Sequence, residues 1–151
     1  MASINQSLVN ELNHLISIAN DGKYGYENAS ADTEDATLKQ MFHQYSLERA
    51  GYAEVLKREV TKAGGTPETG GGPLGALHRT WMDIKSAISS GNREAVLNAC
   101  ITGEEAAVKA YSDAVNKDNV PTTAKQVITE QLSGIKFALN SIRSLAETAK
   151  T

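Results

Sequence analysis

The chain has 151 residues and a formal net charge of −3 at neutral pH. This length suits one domain with a substantial core, and we expect a single helical domain over residues 1–151. The slightly acidic balance, with no run of Lys or Arg, gives no electrostatic basis for binding nucleic acid or an anionic membrane. We therefore expect neither nucleic acid nor membrane among its partners.

The cysteine content and the N-terminal stretch indicate a reducing compartment. Cys100 is the only cysteine, so no disulfide can form within the chain. The first residues lack the basic and then apolar pattern of a secretion signal, and no apolar run approaches membrane-spanning length. We expect a cytoplasmic protein.

Five stretches carry hydrophobic residues at every third or fourth position, which is the spacing of a helix that buries one face. The clearest of these stripes comprises Ile128, Leu132, Ile135, Leu139, Ile142 and Ala146. Gly64 and Gly65 are a stop signal for the second stretch, and Pro73 is placed where proline begins a helix. The predicted helices span about 4–31, 35–63, 74–89, 92–117 and 121–149.

Two glycines, Gly22 and Gly25, fall inside the first predicted helix. Glycine in a helix interior costs roughly 1 kcal/mol relative to alanine, so its presence there indicates close approach of a neighbour. We expect Tyr24 and Tyr26 to supply that packing.

The order of these elements predicts an all-α, ferritin-like four-helix bundle. Two helix hairpins are joined by a long crossover, residues 64–91, which contains a shorter fifth helix. The hairpins also look related to each other, since an offset of 85 residues without a gap matches identical residues. The matched pairs are Leu12 with Leu97, Asn13 with Asn98, Ile16 with Ile101, Tyr26 with Tyr111, Ala29 with Ala114, Thr37 with Thr122, Leu47 with Leu132 and Ala53 with Ala138.

Three short blocks resemble known proteins. The block Gly103-Glu-Glu-Ala-Ala-Val-Lys-Ala-Tyr111, with the paired hairpins, resembles the ferritin-like superfamily and especially its rubrerythrin branch. Together with Asp21–Tyr26 and Gly75–Ala87, it resembles a bacterial family of uncharacterised ferritin-like four-helix proteins, a domain of unknown function. The resemblance covers nearly the whole chain, implies the bundle, and brings no established activity.

The activity of ferritin-like proteins rests on a di-iron centre, so its ligands can be checked one by one. Such a centre takes a Glu from each of two helices and a Glu-x-x-His from each of the other two. Glu104 lies on an apolar stripe, where an inward carboxylate must be paired or must bind a metal. Its mate in the repeat is Ala19, which cannot bind a metal.

The Glu-x-x-His motifs are also incomplete. Glu48 would begin the first of them, but Gly51 stands where the histidine is required. Ser133 and Lys136 occupy the corresponding positions of the last helix, and Glu130 lies off its stripe. We predict that the ordinary di-iron centre is absent and that no cofactor is bound.

Two interpretations of Glu48 and Glu104 stay open. They could hold a single metal ion, or they could be carboxylates bonded to Arg49, tyrosine hydroxyls or Lys136, which is the interpretation we favour. In that case Glu104→Gln should cost only about 1–2 kcal/mol. Leucine at the same position should also be tolerated.

Other chemistry-bearing residues have structural explanations. The three histidines lie on three predicted helices without ligand spacing: His14, His43 and His78. Cys100 is flanked by alanine and has no basic neighbour, so a buried thiol is expected. The glycine-rich loop lacks the Gly-Lys-Ser/Thr ending of a phosphate-binding loop.

The crossover helix has two predicted faces. Trp81 lies on its apolar stripe, so we expect the indole to be buried against the bundle. The opposite face carries basic and soft side chains that suit a protein interface. This predicted interaction face comprises His78, Arg79, Met82 and Lys85.

Two hypotheses for the function follow. The favoured one is a non-catalytic bundle that acts through a homo-oligomer or a protein partner. The alternative is a residual metal-binding or redox protein of the ferritin/rubrerythrin type, with a degenerate site at Glu48 and Glu104. An enzymatic role is the less favoured expectation.

Overall fold

The structure is a computed structural model, and it describes residues 5–69 and 75–149. Side chains are described for residues 5–69 and 79–148, so the side chain of His78 lies outside the described part. The chain forms five helices: α1 (Gln6–Asp32), α2 (Ala36–Lys62), α3 (Gly75–Ser90), α4 (Arg93–Val115) and α5 (Thr122–Ala149).

Local signals in the sequence set several of the helix ends. Asn5, Asp35 and Asn92 cap α1, α2 and α4, each accepting a hydrogen bond from the backbone N–H three residues on. Gly64 and Gly91 follow α2 and α3 with φ values of 86° and 74°, a conformation that side chains other than glycine rarely adopt.

The architecture confirms the predicted fold class. Helices α1 and α2 form one hairpin, α4 and α5 form the other, and the shorter α3 lies between them in the chain. Helix α3 packs against both α1 and α4, while α2 packs against α5. Helices α1 and α4 share few direct contacts, and α3 contacts both of them.

The apolar interior forms two clusters at different heights of the bundle. One cluster includes Leu12, Leu15, Leu56, Val60, Tyr111, Ile128 and Ile135. The other, which lies towards the α3 C-terminus, includes Tyr26, Leu38, Phe42, Ile84, Leu97, Cys100 and Ile142. Between them, at mid-height, lies a layer that contains the buried charges Arg49 and Glu104.

Two glycines let α3 sit close to its neighbours. A Cβ added at Gly25 would overlap the Trp81 indole ring, and one added at Gly103 would lie 3.0 Å from Thr80 Cγ2. Consecutive side chains of α3 thus enter sockets on α1 and α4. Our expectation that tyrosines of α1 fill these spaces is wrong, because Trp81 faces Gly25.

Gly22 has a different neighbour. A Cβ added there would lie 3.4 Å from Arg49 Cγ, so the arginine stem of α2 occupies this space. Tyr24, which was expected to pack at these glycines, is 49% exposed.

Among the described residues, no helix is long and apolar enough to cross a membrane.

Candidate functional site

A buried ion pair between α2 and α4 lies at the centre of the bundle. Arg49 Nη1 donates to Glu104 Oε1 at 2.8 Å, and Nη2 donates to Oε2 at 2.5 Å. The two residues are 3% and 1% exposed. This bidentate geometry uses both carboxylate oxygens and is the strongest form of a charged hydrogen bond in proteins.

Small residues make room for this pair. Ala19 and Gly22 lie on the buried side of α1, and the Arg49 stem passes over Gly22. On α2 the interior positions are Phe42, Tyr45, Ser46, Arg49, Ala53 and Leu56, so Arg49 takes a place on the helical stripe. An arginine at such a position requires a buried carboxylate, and Glu104 supplies it.

Two tyrosine rings flank the guanidinium. Arg49 Cζ lies 5.6 Å from the ring centroid of Tyr26 and 6.0 Å from that of Tyr52. Contacts of this kind between a guanidinium and aromatic rings are favourable and gain strength away from water. The cation is therefore held by one carboxylate and by rings from α1 and α2.

Burial and charge explain the pKa directions in this layer. Burial opposes the charge on Arg49, but the Glu104 carboxylate outweighs it and raises the pKa of Arg49 above its usual value. Burial, and then the Glu104 carboxylate, raise the pKa of the Tyr26 hydroxyl. Burial also raises the pKa of the Cys100 thiol, which therefore stays protonated and is a poor nucleophile.

Glu48 lies one helical position away from Arg49 and has a different partner. Tyr52 Oη donates to Glu48 Oε1 at 2.8 Å, and both residues are half-buried. Burial and this hydrogen bond raise the pKa of Tyr52. A Cβ at Gly134 on α5 would overlap the Tyr52 hydroxyl, so this glycine makes room for the pair.

A third polar link joins α4, α5 and α2. Tyr111 Oη donates to Gln131 Oε1 at 2.8 Å, and Gln131 Nε2 donates to the Tyr52 carbonyl at 3.2 Å. Gln131 is 4% exposed, so its amide satisfies buried groups on two neighbouring helices.

The ligand set implied by a di-iron centre does not fit these residues. Both Glu104 oxygens already accept hydrogen bonds from Arg49, and Glu48 Oε1 accepts from Tyr52. A metal ion at Glu104 would have to displace a buried cation and leave it unpaired, which is strongly unfavourable. Among the described residues, no group of three or more His, Cys, Asp or Glu side chains is placed to hold a metal ion.

The predicted site residues are only partly brought together. Glu104 is bonded to Arg49, and Glu48 to a tyrosine hydroxyl, which confirms those bonds of the favoured interpretation. Lys136 is exposed and takes no part in them. His14 and His43 are exposed on different helices, and Gly51 is exposed on α2, so a histidine there would not have faced the interior.

The ion pair changes one expectation. Glu104→Leu was expected to be tolerated, but it would leave the Arg49 guanidinium buried without a carboxylate. Removing one member of a buried pair typically costs about 3–5 kcal/mol. We now expect Glu104→Leu to be strongly destabilising.

A surface groove of about 230 Å³ runs between α1 and α3, and we call it the α1–α3 groove. Its lining comprises Asp21, Tyr24, Gly25, Asn28, Ala29, Asp32, Trp81, Met82, Ile84, Lys85 and Ile88. Tyr24 and Met82 are 49% and 53% exposed, and Lys85 is also exposed. Arg79 is exposed elsewhere on α3, so three members of the predicted interaction face are accessible.

Sequence reasoning identified Glu104 as inward and named Arg49 among its possible partners, but it did not identify Gln131 or the α1–α3 groove. The inward position of Arg49 agrees with the helical stripe that it shares with Tyr45, Ser46 and Ala53. The partner of Gln131 carries no comparable signal, because it depends on how two hairpins pack.

Comparison with known proteins identifies the family of the chain. A comparison with curated proteins gives no match. A family model described as "Domain of unknown function (DUF2383)" matches residues 7–117, which include α1 to α3, both members of the ion pair and the α1–α3 groove. The chain therefore belongs to the DUF2383 family, a domain of unknown function.

Proposed function

We propose that the chain is a non-catalytic bundle of the ferritin-like type that acts by binding a protein, another chain or a second copy of itself, through the α1–α3 groove. One observation carries the proposal. Tyr24 and Met82, two of the four large apolar side chains that are strongly exposed among the described residues, line this one groove. Exposed apolar side chains that gather at one place mark interaction sites more often than scattered ones.

The floor and the rim of the groove have the composition of an interface. Its floor includes Gly25, Ala29 and Ile84, and its walls carry Asp32 and Lys85. Apolar centres with polar rims are typical of protein interfaces, where aromatic residues, Met and Arg are enriched.

The Arg49–Glu104 pair supports a structural role for the centre of the bundle, in place of a catalytic one. Where ferritin-like proteins build a metal site from inward carboxylates, this chain pairs Glu104 with the guanidinium of Arg49. Two hairpins with an 85-residue offset and a crossover between them support the ferritin-like assignment. The alternative of a single metal at Glu48 and Glu104 gains no support, because hydrogen bonds engage both carboxylates.

The test is a comparison of matched charge insertions. We would capture proteins from cells that express the tagged full-length chain, using the wild type, Met82→Asp and Leu47→Asp. Leu47 is 61% exposed on α2, outside the groove, so its substitution controls for the effect of a new surface charge. We expect a specific protein to be retained by the wild type and Leu47→Asp and lost from Met82→Asp.

The captured protein would then be purified and titrated against the same three chains. Binding that Met82→Asp weakens and Leu47→Asp leaves unchanged supports the proposal. Equal capture by all three chains contradicts it, as does the absence of specific capture together with a wild type that stays monomeric at every concentration.

A further inference from the structure

The charges and the helix register at the α1–α3 groove identify a particular partner. This inference rests on the proposed function, since it names the protein that the groove binds. We infer that the partner is a second copy of the chain, related by a two-fold axis parallel to α1 and α3. Each protomer then places its α3 on the α1 of the other.

The first step is the relative register of α1 and α3. Trp81 packs at Gly25, and seven residues further along both helices Ile88 and Asp32 line the same groove. The two helices therefore run parallel and in step. A two-fold axis parallel to them brings α1 of one protomer and α3 of the other together at the same height.

The second step is charge. The α1 wall of the groove carries Asp21 and Asp32, whereas the α3 wall carries Lys85. One wall is acidic and the other basic, so two copies that exchange walls place opposite charges together. Charge complementarity of this kind favours the correct pairing over others.

The third step is distance along the helices. Lys85 lies four residues beyond Trp81, and Asp32 lies seven beyond Gly25, so their heights differ by three residues, or roughly 4.5 Å. A lysine side chain spans that difference. Among the described residues neither Lys85 nor Asp32 belongs to an ion pair of its own chain, so both are available to a second copy.

The apolar residues follow the same pairing. Met82 lies one residue beyond Trp81, and Tyr24 lies one before Gly25, so their heights differ by roughly 3 Å. In the dimer the thioether of one protomer meets the ring of the other, a favourable contact. Because the interface is isologous, each of these contacts occurs twice.

Sedimentation velocity of the purified full-length chain over a concentration series tests this dimer. We expect a wild-type dimer that Met82→Asp and Asp32→Lys each weaken by about tenfold or more. The double variant Asp32→Lys with Lys85→Asp restores the pairing and should recover most of the affinity. Leu47→Asp is the matched control and should dimerise like the wild type, with far-UV circular dichroism checking that each variant is folded.

Cross-linking tests the orientation. Single variants Tyr24→Cys and Met82→Cys, mixed and treated with a short bis-maleimide, should give a cross-linked dimer that neither variant gives alone. Efficient cross-linking of Met82→Cys by itself would place α3 against α3 and overturn the proposed axis. The buried Cys100 is present in every sample and so serves as the background.

Two results separate this inference from the proposed function. A wild type that stays monomeric at every concentration, while still capturing a different protein through Met82, overturns the dimer alone. A monomer that also captures nothing through Met82 overturns both.

Discussion

The two hairpins share a helical repeat but differ in what they bury. Tyr26 and Tyr111 occupy equivalent positions, and both are 0% exposed. Tyr111 Oη donates to Gln131, whereas Tyr26 Oη has no amide partner of this kind and lies near the Glu104 carboxylate. The Tyr26 ring instead lies 4.8 Å from that of Trp81 and 5.4 Å from that of Tyr45, measured between centroids.

The crossover explains part of this difference. Helix α3 brings the Trp81 ring against Tyr26, so aromatic rings cover Tyr26 beside the guanidinium of Arg49. In the repeat, Ser46 occupies the position that corresponds to Gln131, and its hydroxyl donates to the His43 carbonyl. The first hairpin therefore lacks the glutamine amide that binds Tyr111 in the second.

The central charges show the same lack of symmetry. The repeat mates of Arg49 and Glu104 are Gly134 and Ala19, so each large charged residue corresponds to a small one in the other hairpin. One pair then fits in the middle of the bundle, where two symmetric copies of it would not. The two hairpins therefore share the spacing of their helices but bury different side chains at equivalent positions.

The largest effect is expected from breaking the pair on one side only. Glu104→Leu should destabilise the protein by about 3–5 kcal/mol, because Arg49 stays buried without its carboxylate. Glu104→Gln keeps one acceptor but removes the negative charge that balances Arg49, so the ion pair also raises its expected cost, from about 1–2 to about 3 kcal/mol. Chemical denaturation followed by circular dichroism measures both.

The double variant Arg49→Met with Glu104→Leu is the control for this prediction. It removes both charges and should recover most of the loss, since apolar side chains of similar size can replace a buried pair. A single Leu variant as stable as the wild type would show that Arg49 does not depend on Glu104.

The second largest loss of stability is expected from removing the Trp81 ring, which packs on Tyr26 of the first hairpin. Trp81→Ala should destabilise by about 3 kcal/mol, because it leaves a cavity over Tyr26. The measurement is denaturation followed by circular dichroism, since this change removes the only tryptophan. Met82→Ala on the exposed side of α3 is the control and should lie near zero; equal losses for the two would contradict the assigned faces.

Alanine substitutions at two glycines compare an open position with one that α3 covers. Gly51 is exposed on α2 and a Cβ there meets nothing within 4 Å, so Gly51→Ala should stabilise by up to about 1 kcal/mol. Gly25→Ala should instead destabilise, because the added methyl would overlap the Trp81 ring. Thermal unfolding compares the two, and a shift of both melting temperatures upward would contradict the close approach of α3.

The smallest effect compares the equivalent tyrosines. Tyr111→Phe should cost about 1 kcal/mol, because it breaks the bond to Gln131 and leaves that buried amide unsatisfied. Tyr26→Phe removes a buried hydroxyl without an amide partner and should cost less than Tyr111→Phe. Denaturation curves of the two variants compare the losses; a larger loss for Tyr26→Phe would mean that the Tyr26 hydroxyl has the stronger partner.

Much of the fold could be predicted because it depends on local patterns. The stripe through Ile128, Ile135 and Ile142 identifies a helix without any knowledge of its neighbours. Glu104 could be predicted as inward for the same reason. The pairing of Gly25 with Trp81 could not, because it requires the angle at which α3 crosses α1.

The choice between Glu48 and Arg49 shows a second limit. The two residues are adjacent, and the Glu-x-x-His motif of ferritin-like proteins would place Glu48, and not Arg49, in the interior. The helix turns so that Arg49 enters the interior at 3% exposure while Glu48 stays half-buried at its edge. A rotation of one residue, which a motif does not specify, decides which of them meets Glu104.

At the centre of the bundle both oxygens of Glu104 are engaged by Arg49 and not by a metal ion. Thermal unfolding of the wild type and Glu104→Gln, each with anaerobic ferrous iron and with a chelator, tests this arrangement, because a ligand that binds only the native state raises the melting temperature. We expect that neither iron nor chelator moves the melting temperature of either protein. A rise with iron in the wild type, reversed by the chelator and absent from Glu104→Gln, would contradict it.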